Sequence, residues 1–333
     1  MAKSLNNSTD STDSPGKTST EPPTKCRPSR RKFLKRAAAG LVTAGIGTGL
    51  YAWRFEPHWV EVVHETLPIE RLPAGLVGKR LVQLSDLHVG DIVDHDYITS
   101  AMKSVAALEP DLIVITGDLM TCHYDEQIEQ ATDVLGSLPK AKLGRFAIFG
   151  NHDYGDNWQQ HLTTRRAKRE IEKLGITVLR NELMETGGLQ IVGIDDLWTR
   201  RFNPEQAFEQ LDRERASLVL CHNPDGIDKP SMQDYRGWIL AGHTHGGQCK
   251  PPWAKPPILP VQNHRYTAGK IVVDENRQLY INRGLGYTHR VRFNCRPEIT
   301  VFTLEQAAND SRLVSWHRDS LWPKCSGRLS LAT

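Results

Sequence analysis

The sequence predicts an α/β fold in which two β-sheets pack face to face with helices on their outer sides. In the front half of the folded chain, short apolar runs alternate with longer amphipathic stretches in a βαβαβ order, whereas apolar runs dominate the back half. In addition, polar residues able to bind metals follow the apolar runs. Because ligands gather beyond the carboxyl ends of strands in α/β sheets, these residues are expected to converge there.

The front half is expected to contain three strands and three helices. Apolar runs predict strands at 80–86, 111–118 and 144–153, the last ending in a loop. Helical spacing of apolar residues predicts helices at 95–108 and 125–137, and a long charged helix is expected at about 157–174. The strand ends at Asp86, Asp118 and Asn151 are separated by about 30 residues each, the length of one βαβ unit, so these strands are expected to be parallel neighbours.

The back half is expected to be rich in strands. Four apolar runs predict strands at 176–179, 189–194, 217–222 and 236–243. The segments KIVVD, QLYINRG and EITVFTL predict three more strands near the end, and one helix is expected at 204–213. A strand-rich half that follows a βαβαβ half is typical of two stacked sheets.

The N-terminus resembles an export signal. Residues 1–28 are rich in Ser, Thr, Pro and Lys and are expected to be disordered. The stretch SRRKFLKR (29–36) matches the complete S-R-R-x-F-L-K pattern of twin-arginine signals. We therefore predict export through the twin-arginine machinery, with 29–55 as the signal, 56–310 as the folded domain and 311–333 as a C-terminal tail.

The uncharged segment 37–53 bears on whether this signal is cleaved or retained. The segment lies at the short end of the range for crossing a bilayer, and no clear A-x-A cleavage site follows it. Retention as a membrane anchor is therefore favoured, and a buried core helix with a basic flank is the alternative. The expected location is periplasmic, or anchored in the inner membrane and facing outward.

The charge balance gives no argument for a nucleic-acid partner, and none is expected. The 42 Lys and Arg residues exceed the 39 Asp and Glu residues by only three, a formal net charge of +3. The basic run RRAKRE (165–170) is interpreted as the solvated face of its helix. Six cysteines include no CxxC pair, so they predict neither a zinc finger nor a small disulfide scaffold.

The polar residues at the strand ends form a set with one chemistry. They are Asp86, His88, Asp118, Asn151, His152, His222, His243 and His245. Taken singly, each has an ordinary explanation, such as a helix cap or a turn. As a set they offer hard oxygen and borderline imidazole ligands, which suit two divalent ions such as Mn, Fe or Zn. Buried charges persist only when they are paired or bound to metal, so a metal site is the favoured interpretation.

Five short motifs in this chain resemble the signature blocks of the calcineurin-like metallophosphoesterases. They are DLH (86–88), GD (117–118), GNHD (150–153), CHNPD (221–225) and GHTHGGQ (242–248), spread over about Lys79 to Phe302. GHTHGGQ, the Pro-rich loop after it and NRGLG (282–286) resemble more closely a bacterial branch of YkuE/YaeI-type phosphodiesterases and relatives acting on UDP-2,3-diacylglucosamine. The resemblance implies a four-layer αββα sandwich of two mixed sheets.

The resemblance also implies a role for each site residue. Asp86, His88 and His245 would bind the first metal, Asn151, His222 and His243 the second, and Asp118 both. A bridging role suits a carboxylate, because each of its two oxygens can donate a lone pair. His152 is expected to protonate the leaving oxygen without binding metal, with Asp153 as its acidic partner. Relatives read GDxxDR where this chain reads GDLMTC, so Thr121 and Cys122 replace the acidic partner and an arginine.

The resulting hypothesis is a phosphoesterase that depends on two metal ions. A hydroxide shared by the two ions would attack the phosphorus of a phosphodiester or pyrophosphate. One alternative is a UDP-2,3-diacylglucosamine hydrolase of lipid A biosynthesis, with a nucleotide-sugar-lipid substrate. Another is a metal-dependent binding protein without turnover. The loop CKPPWAKPPILP (249–260) is interpreted as a rigid surface connection or, alternatively, as a wall of the substrate cleft that presents Trp253.

Overall fold

The structure is a computed structural model, and it describes residues 29–307. The described residues divide into two units, with the boundary between Gly47 and Thr48. The disorder predicted for 1–28 and the tail predicted for 311–333 lie outside the described residues. Helix α1 (Arg30–Leu50) begins within the SRRKFLKR stretch and buries no side chain. Within residues 29–307, no helix combines the length and the apolar character that crossing a membrane requires.

The rest of the described chain forms twelve strands and four further helices, joined by turns and short 3₁₀ segments. The helices are α2 (His95–Ser104), α3 (Glu126–Gly136), α4 (His161–Glu172) and α5 (Pro204–Phe208). The strands of the first half are β1 (Glu61–Ile69), β2 (Arg80–Leu84), β3 (Leu112–Thr116), β4 (Arg145–Ile148), β5 (Thr177–Val178) and β6 (Glu182–Thr186). The strands of the second half are β7 (Leu189–Ile194), β8 (Ser217–Cys221), β9 (Gly237–Ala241), β10 (Gly269–Val272), β11 (Arg277–Ile281) and β12 (Glu298–Gln306).

These strands form two six-stranded sheets, and both sheets are mixed. The first has the order β1-β12-β2-β3-β4-β5, with β2 to β5 parallel and β12 antiparallel to β2. The second has the order β10-β11-β9-β8-β7-β6, with β11, β9, β8 and β7 parallel and an antiparallel strand at each edge. The expected pair of mixed sheets is confirmed.

Three apolar cores define the layers. One lies between the sheets, where Leu112 and Phe146 of the first sheet pack with Leu218 and Trp238 of the second. Another lies between the first sheet and helices α2 to α4, and the third between the second sheet and a thinner layer that includes α5. Burial of these apolar faces drives the sheets and helices together. The predicted four-layer αββα arrangement is therefore confirmed.

Most predicted strands and helices are present, but two helices are shorter than predicted and two strands were not predicted. The helix predicted at 157–174 begins only at His161, because Asn157 and Trp158 have positive φ angles that interrupt a helix. The helix predicted at 204–213 ends at Phe208, and strands β1 and β6 were not predicted. The other predicted strands and helices are present, with ends shifted by a few residues.

The larger unit starts before the predicted domain boundary at residue 56. Ala52 and Glu56 are buried, and the Ala52 carbonyl accepts a hydrogen bond from the Arg292 amide at 2.9 Å. The Glu56 carboxylate accepts one from the Cys295 amide at 2.5 Å. The larger unit, which begins at Thr48, thus holds Ala52 and Glu56 by contacts with its C-terminal part.

Candidate metal centre

The polar residues expected at strand ends lie at the carboxyl ends of parallel strands from both sheets. Asp86 and His88 follow β2, Asp118 follows β3, Asn151 and His152 follow β4, His222 follows β8, and His243 and His245 follow β9. All are buried except His152, which is half-buried. Two sheets stacked with these ends on the same side place loops from each sheet around one site.

The side chains form two clusters that meet at Asp118. The potential ligand atoms of Asp86, His88 and His245, the first cluster, lie within 4.8 Å of one another. The same holds for Asp118, His222 and His243, the second cluster. Asp118 Oδ2 lies 3.2 Å from His222 Nε2 and 3.5 Å from His88 Nε2. One carboxylate therefore faces imidazoles of both clusters.

Five residues of the two clusters have left-handed backbone conformations. Their φ angles are 52° at Asp86, 49° at His88, 50° at Asp118, 70° at His243 and 50° at His245. Non-glycine residues adopt this region rarely and at a cost in free energy, and such residues cluster at functional sites. The loops accept this strain while turning side chains from separate strands toward one point.

Two glycines make the close approach of these loops possible. A Cβ atom at Gly150 would overlap the Asp118 carboxylate and the His222 ring. A Cβ atom at Gly242 would overlap Ser85 and the Asp86 carboxylate. Any side chain at either position would therefore displace a predicted ligand.

Hydrogen bonds to the protein fix which ring nitrogen of three histidines faces the centre. His222 Nδ1 donates to the Thr116 carbonyl at 2.7 Å, and His243 Nε2 donates to the Pro260 carbonyl at 2.9 Å. Since a carbonyl only accepts, the other nitrogen of each ring is free to present a lone pair. His88 Nδ1 lies 2.9 Å from the Thr121 hydroxyl, which leaves its Nε2 facing the centre. This arrangement is typical of histidines that bind metal.

Several buried polar atoms fit a bound cation. Both amide atoms of Asn151 have no hydrogen-bond partner among the described residues. The Nε2 atoms of His88 and His245 lie 3.0 Å apart, and each lies within 3.5 Å of a carboxylate oxygen, that of Asp118 and that of Asp86 respectively. Buried polar groups without partners are costly, and a divalent ion held by oxygen and imidazole ligands removes that cost. The residues present therefore fit metal ions at both clusters.

Burial and neighbouring charges set the protonation of the site without metal. Burial lowers the pKa of His88 and of His243 to about 3, and it holds the pKa of His245 well below its usual value. Burial alone would lower the pKa of His222, but the adjacent Asp118 carboxylate outweighs it and raises that pKa well above the usual value. Three rings are therefore neutral, the form that binds metal, and a metal at His222 would replace a proton shared with Asp118.

His152 and Asp153 were both predicted to act in catalysis, and the structure places them differently. The His152 ring packs edge-on against His88 at 4.9 Å, and its backbone amide donates to Asp118 Oδ1 at 2.9 Å. The buried Asp153 carboxylate accepts from the Met120 amide at 3.0 Å and from the Gly150 amide at 2.8 Å. No hydrogen bond joins Asp153 to His152 among the described residues. Asp153 thus ties the loop after Asp118 to the loop before Asn151 and is not placed as the partner of His152.

Three residues near the site were not assigned a role from sequence. Thr121, noted only as a departure from the family pattern, contacts His88. Asp196 follows β7 and is buried with one carboxylate oxygen unpartnered, and burial raises its pKa to about 6. The strand-end rule that identified the other carboxylates could have found it. Arg292 is fully buried and donates to the carbonyls of Arg283, Gly284, Gly286 and Cys295, which braces the loop behind Asp86; no sequence signal distinguishes it.

The Pro-rich loop supports the site through its backbone. The Pro260 carbonyl holds the His243 ring, and the Asp225 carboxylate caps the amides of Gln262 and Asn263 just beyond. Trp253 is 87% exposed, so it does not form a packed wall of the cleft. The interpretation of a rigid connection fits the loop better than that of a cleft wall.

Two stacked mixed sheets that carry carboxylates and imidazoles at their shared edge define a metallophosphoesterase. The profile of the calcineurin-like phosphoesterase family matches residues 79–247. The chain is 36% identical over 288 residues to the uncharacterized metallophosphoesterase YkuE of Bacillus subtilis, covering 83% of this chain and 98% of YkuE. It is also 36% identical over 284 residues to the phosphodiesterase YaeI of Escherichia coli, covering 83% of this chain and 99% of YaeI.

A third relative has a named substrate. The UDP-2,3-diacylglucosamine pyrophosphatase LpxG of Chlamydia trachomatis is 29% identical over 310 residues, which cover 78% of this chain and 93% of LpxG. The chain belongs to the calcineurin-like phosphoesterase family. It is a metal-dependent hydrolase of phosphoric esters, as the sequence predicted.

Proposed function

We propose that the protein is a phosphodiesterase that uses two divalent metal ions. The observation that carries this proposal is the position of the Asp118 carboxylate, which faces His88 of the first cluster and His222 of the second at 3.5 and 3.2 Å. Asp86, His88 and His245 would hold one ion, and Asn151, His222 and His243 the other, with Asp118 shared. Bound ions of this kind activate water and neutralise charge on phosphate oxygens.

The rest of the chemistry is assigned to residues of the chain. The half-buried His152 is the group next to both clusters that reaches solvent, and we assign it the protonation of the leaving oxygen. Its backbone amide, which donates to Asp118 Oδ1, fixes the turn that carries the ring. The left-handed loops and the tautomers held by Thr116 and Pro260 orient the ligands before substrate arrives.

Phosphodiesters are favoured over phosphomonoesters as substrates. A monoester dianion is best held by an additional arginine or lysine, and the GDLMTC motif offers Thr121 and Cys122 at the position where relatives read Asp and Arg. Arg292, the buried arginine behind Asp86, gives hydrogen bonds to four backbone carbonyls and is not available for phosphate. The name of the relative YaeI as a phosphodiesterase supports the same choice.

A pyrophosphate bond in a nucleotide-sugar lipid is the second candidate substrate. It is favoured by the similarity to LpxG, named as a UDP-2,3-diacylglucosamine pyrophosphatase. The twin-arginine motif weighs against it, because that substrate is expected on the cytoplasmic side of the membrane.

The site is also proposed to act outside the cytoplasm. The motif SRRKFLKR lies at the start of helix α1, whose side chains are exposed and so accessible to an export receptor. Periplasmic location, or attachment to the outer face of the inner membrane, follows from this proposal. A reporter fused to the C-terminus tests this location in cells with and without a functional twin-arginine translocase. Export should be lost in cells without the translocase, and also for the double variant Arg30→Lys, Arg31→Lys.

A substrate panel tests the proposed activity. The full chain, stripped with a chelator and reloaded with manganese, is assayed on bis(p-nitrophenyl) phosphate, p-nitrophenyl phosphate and a UDP-sugar lipid. Turnover of the diester well above that of the monoester is expected, together with loss of activity in the stripped protein. A preference for the UDP-sugar lipid would instead select the pyrophosphatase.

A further inference from the structure

Two tryptophans lie directly beside the second cluster and have no role in the chemistry described above. The Trp198 ring meets His243 edge-on, with ring centroids 4.5 Å apart and an interplanar angle of 85°. Trp158 lies against Trp198 with centroids 4.7 Å apart and an angle of 31°. Two large aromatic rings therefore extend from a predicted metal ligand toward the surface.

These rings do not serve any of the three apolar cores. Neither tryptophan belongs to a buried core cluster of the described residues. Trp158 is 36% exposed and Trp198 is half-buried. Exposed indole rings in a site of this kind are available to a ligand, since aromatic rings supply large contact areas at low cost in conformational entropy.

The backbone that carries Trp158 is strained. Asn157 and Trp158 have φ angles of 58° and 56° in succession, where the sequence predicts a helix. A bulky residue in the left-handed region is an outlier, and such residues are found at ligand clamps and active sites when their surroundings enforce them. Two hydrogen bonds hold the turn. The Trp158 amide donates to the Gly155 carbonyl at 3.0 Å, and the Gln160 amide donates to the Tyr154 carbonyl at 2.8 Å. The chain thus gives up a helical turn and places the indole on Trp198.

We propose that Trp158 and Trp198 form a stacking platform for a ring of the group esterified to the phosphate. This inference rests on the proposed function, because it places the phosphate at the two clusters. The ligand chemistry is a ring with a face that stacks on indole, carried by the group attached to phosphate: either a heterocyclic base or the C–H face of a hexose. Stacking of a base on an aromatic side chain is sequence-tolerant and strong enough to affect affinity roughly tenfold per ring.

Binding of reaction products to the metal-loaded full chain tests the platform without any need for turnover. Calorimetry measures the dissociation constants of uridine monophosphate, glucose 1-phosphate and inorganic phosphate for the wild type and for three variants. Trp158→Ala is expected to weaken at least one ring-bearing product roughly tenfold and to leave inorganic phosphate unchanged. Trp158→Phe, which keeps an aromatic face, should restore most of the affinity. Trp253→Ala, which removes an exposed indole from the Pro-rich loop, should change nothing.

The two ring-bearing probes distinguish the sources of the ring. A selective loss for uridine monophosphate assigns the platform to a base, and a selective loss for glucose 1-phosphate assigns it to a sugar. Equal weakening of inorganic phosphate and both products by Trp158→Ala overturns the platform, because the effect is then on the metal centre. Unchanged affinities for all three probes also overturn it.

Failure of the platform and failure of the proposed function are separable in the same data. If the wild type binds inorganic phosphate and hydrolyses diesters, but the ring-bearing products respond to no tryptophan variant, only the platform is wrong. If the metal-loaded wild type neither binds phosphate nor hydrolyses any diester, the proposed function is wrong.

Discussion

The two clusters of the metal centre are built from similar side chains but held in different ways. In the second cluster, the His222 and His243 rings donate to main-chain carbonyls of Thr116 and Pro260. In the first cluster, the His88 ring contacts a side chain, the Thr121 hydroxyl, and His245 Nδ1 has no partner among the described residues. The ring support of the first cluster therefore depends on a side chain, whereas that of the second comes mainly from backbone carbonyls, with the Asn223 amide also 3.2 Å from His243 Nε2.

Asp118→Asn should abolish the difference between the clusters, because it removes the group that both share. An amide has one cation-binding oxygen and no negative charge, so it should bind two divalent ions far more weakly than a carboxylate. The metal content should fall at both clusters and diester hydrolysis by roughly a thousandfold. Elemental analysis and bis(p-nitrophenyl) phosphate hydrolysis measure these effects, with the exposed Asp133→Asn as control. Retention of both ions would show that Asp118 is not shared.

His152→Ala should separate catalysis from metal binding. The ring lies next to both clusters and is assigned to protonate the leaving oxygen, so its loss should lower kcat by about 100- to 10,000-fold. Metal content should stay at the wild-type value, as it should in the control His264→Ala, which changes an exposed histidine. Loss of metal in the His152 variant would contradict the assignment and make this residue a ligand.

Thr121→Val should affect the first cluster alone. Valine has nearly the same shape but offers no hydroxyl to His88 Nδ1, and loss of such a supporting contact typically weakens metal affinity 10- to 100-fold. Competition with a chelating dye should show one weakened ion and one unchanged ion. Thr132→Val is the matched control. It removes a hydroxyl on helix α3 that donates to the Ile128 carbonyl and contacts no residue of the site. Equal weakening of both ions would show that the clusters are not held independently.

Asp153→Asn should have its main effect on stability. The two oxygens of Asp153 accept from the buried amides of Met120 and Gly150. Asparagine replaces one oxygen by an NH₂ group, which would then face one of these N–H donors. The free energy of unfolding should fall by about 1–3 kcal/mol in urea denaturation, with a smaller loss of kcat than in His152→Ala. A loss of kcat as large as that of His152→Ala at unchanged stability would restore Asp153 as the partner of His152.

The sequence predicts the frame of the fold well because the signals for it are local. Apolar runs and helical spacing located ten of the twelve strands and four of the helices, and the strand-end rule identified the residues that meet at Asp118. Strand β1 was missed because it alternates between half-buried and exposed along most of its length, and it pairs with β12 at the far end of the chain.

The support around the ligands was not predictable, since it depends on contacts between distant segments. Thr121 lies 33 positions from His88, and only the folded loops bring its hydroxyl to the ring. Asp153 follows His152 directly, which suggested a partnership, but its carboxylate turns away to the Met120 and Gly150 amides. The left-handed Trp158 lies in a stretch whose composition is that of a helix. In each case a local pattern was overridden by tertiary contacts.

The hydrogen bond from His222 to Thr116 spans the two sheets, because β3 belongs to the first sheet and His222 follows β8 of the second. Gln83 of β2 makes a second crossing by donating to the Ala241 carbonyl at the end of β9, and it also donates to the Thr116 hydroxyl on the neighbouring strand β3. The ligands of the second ion therefore come together only when the two sheets pack, and neither sheet could provide the set alone.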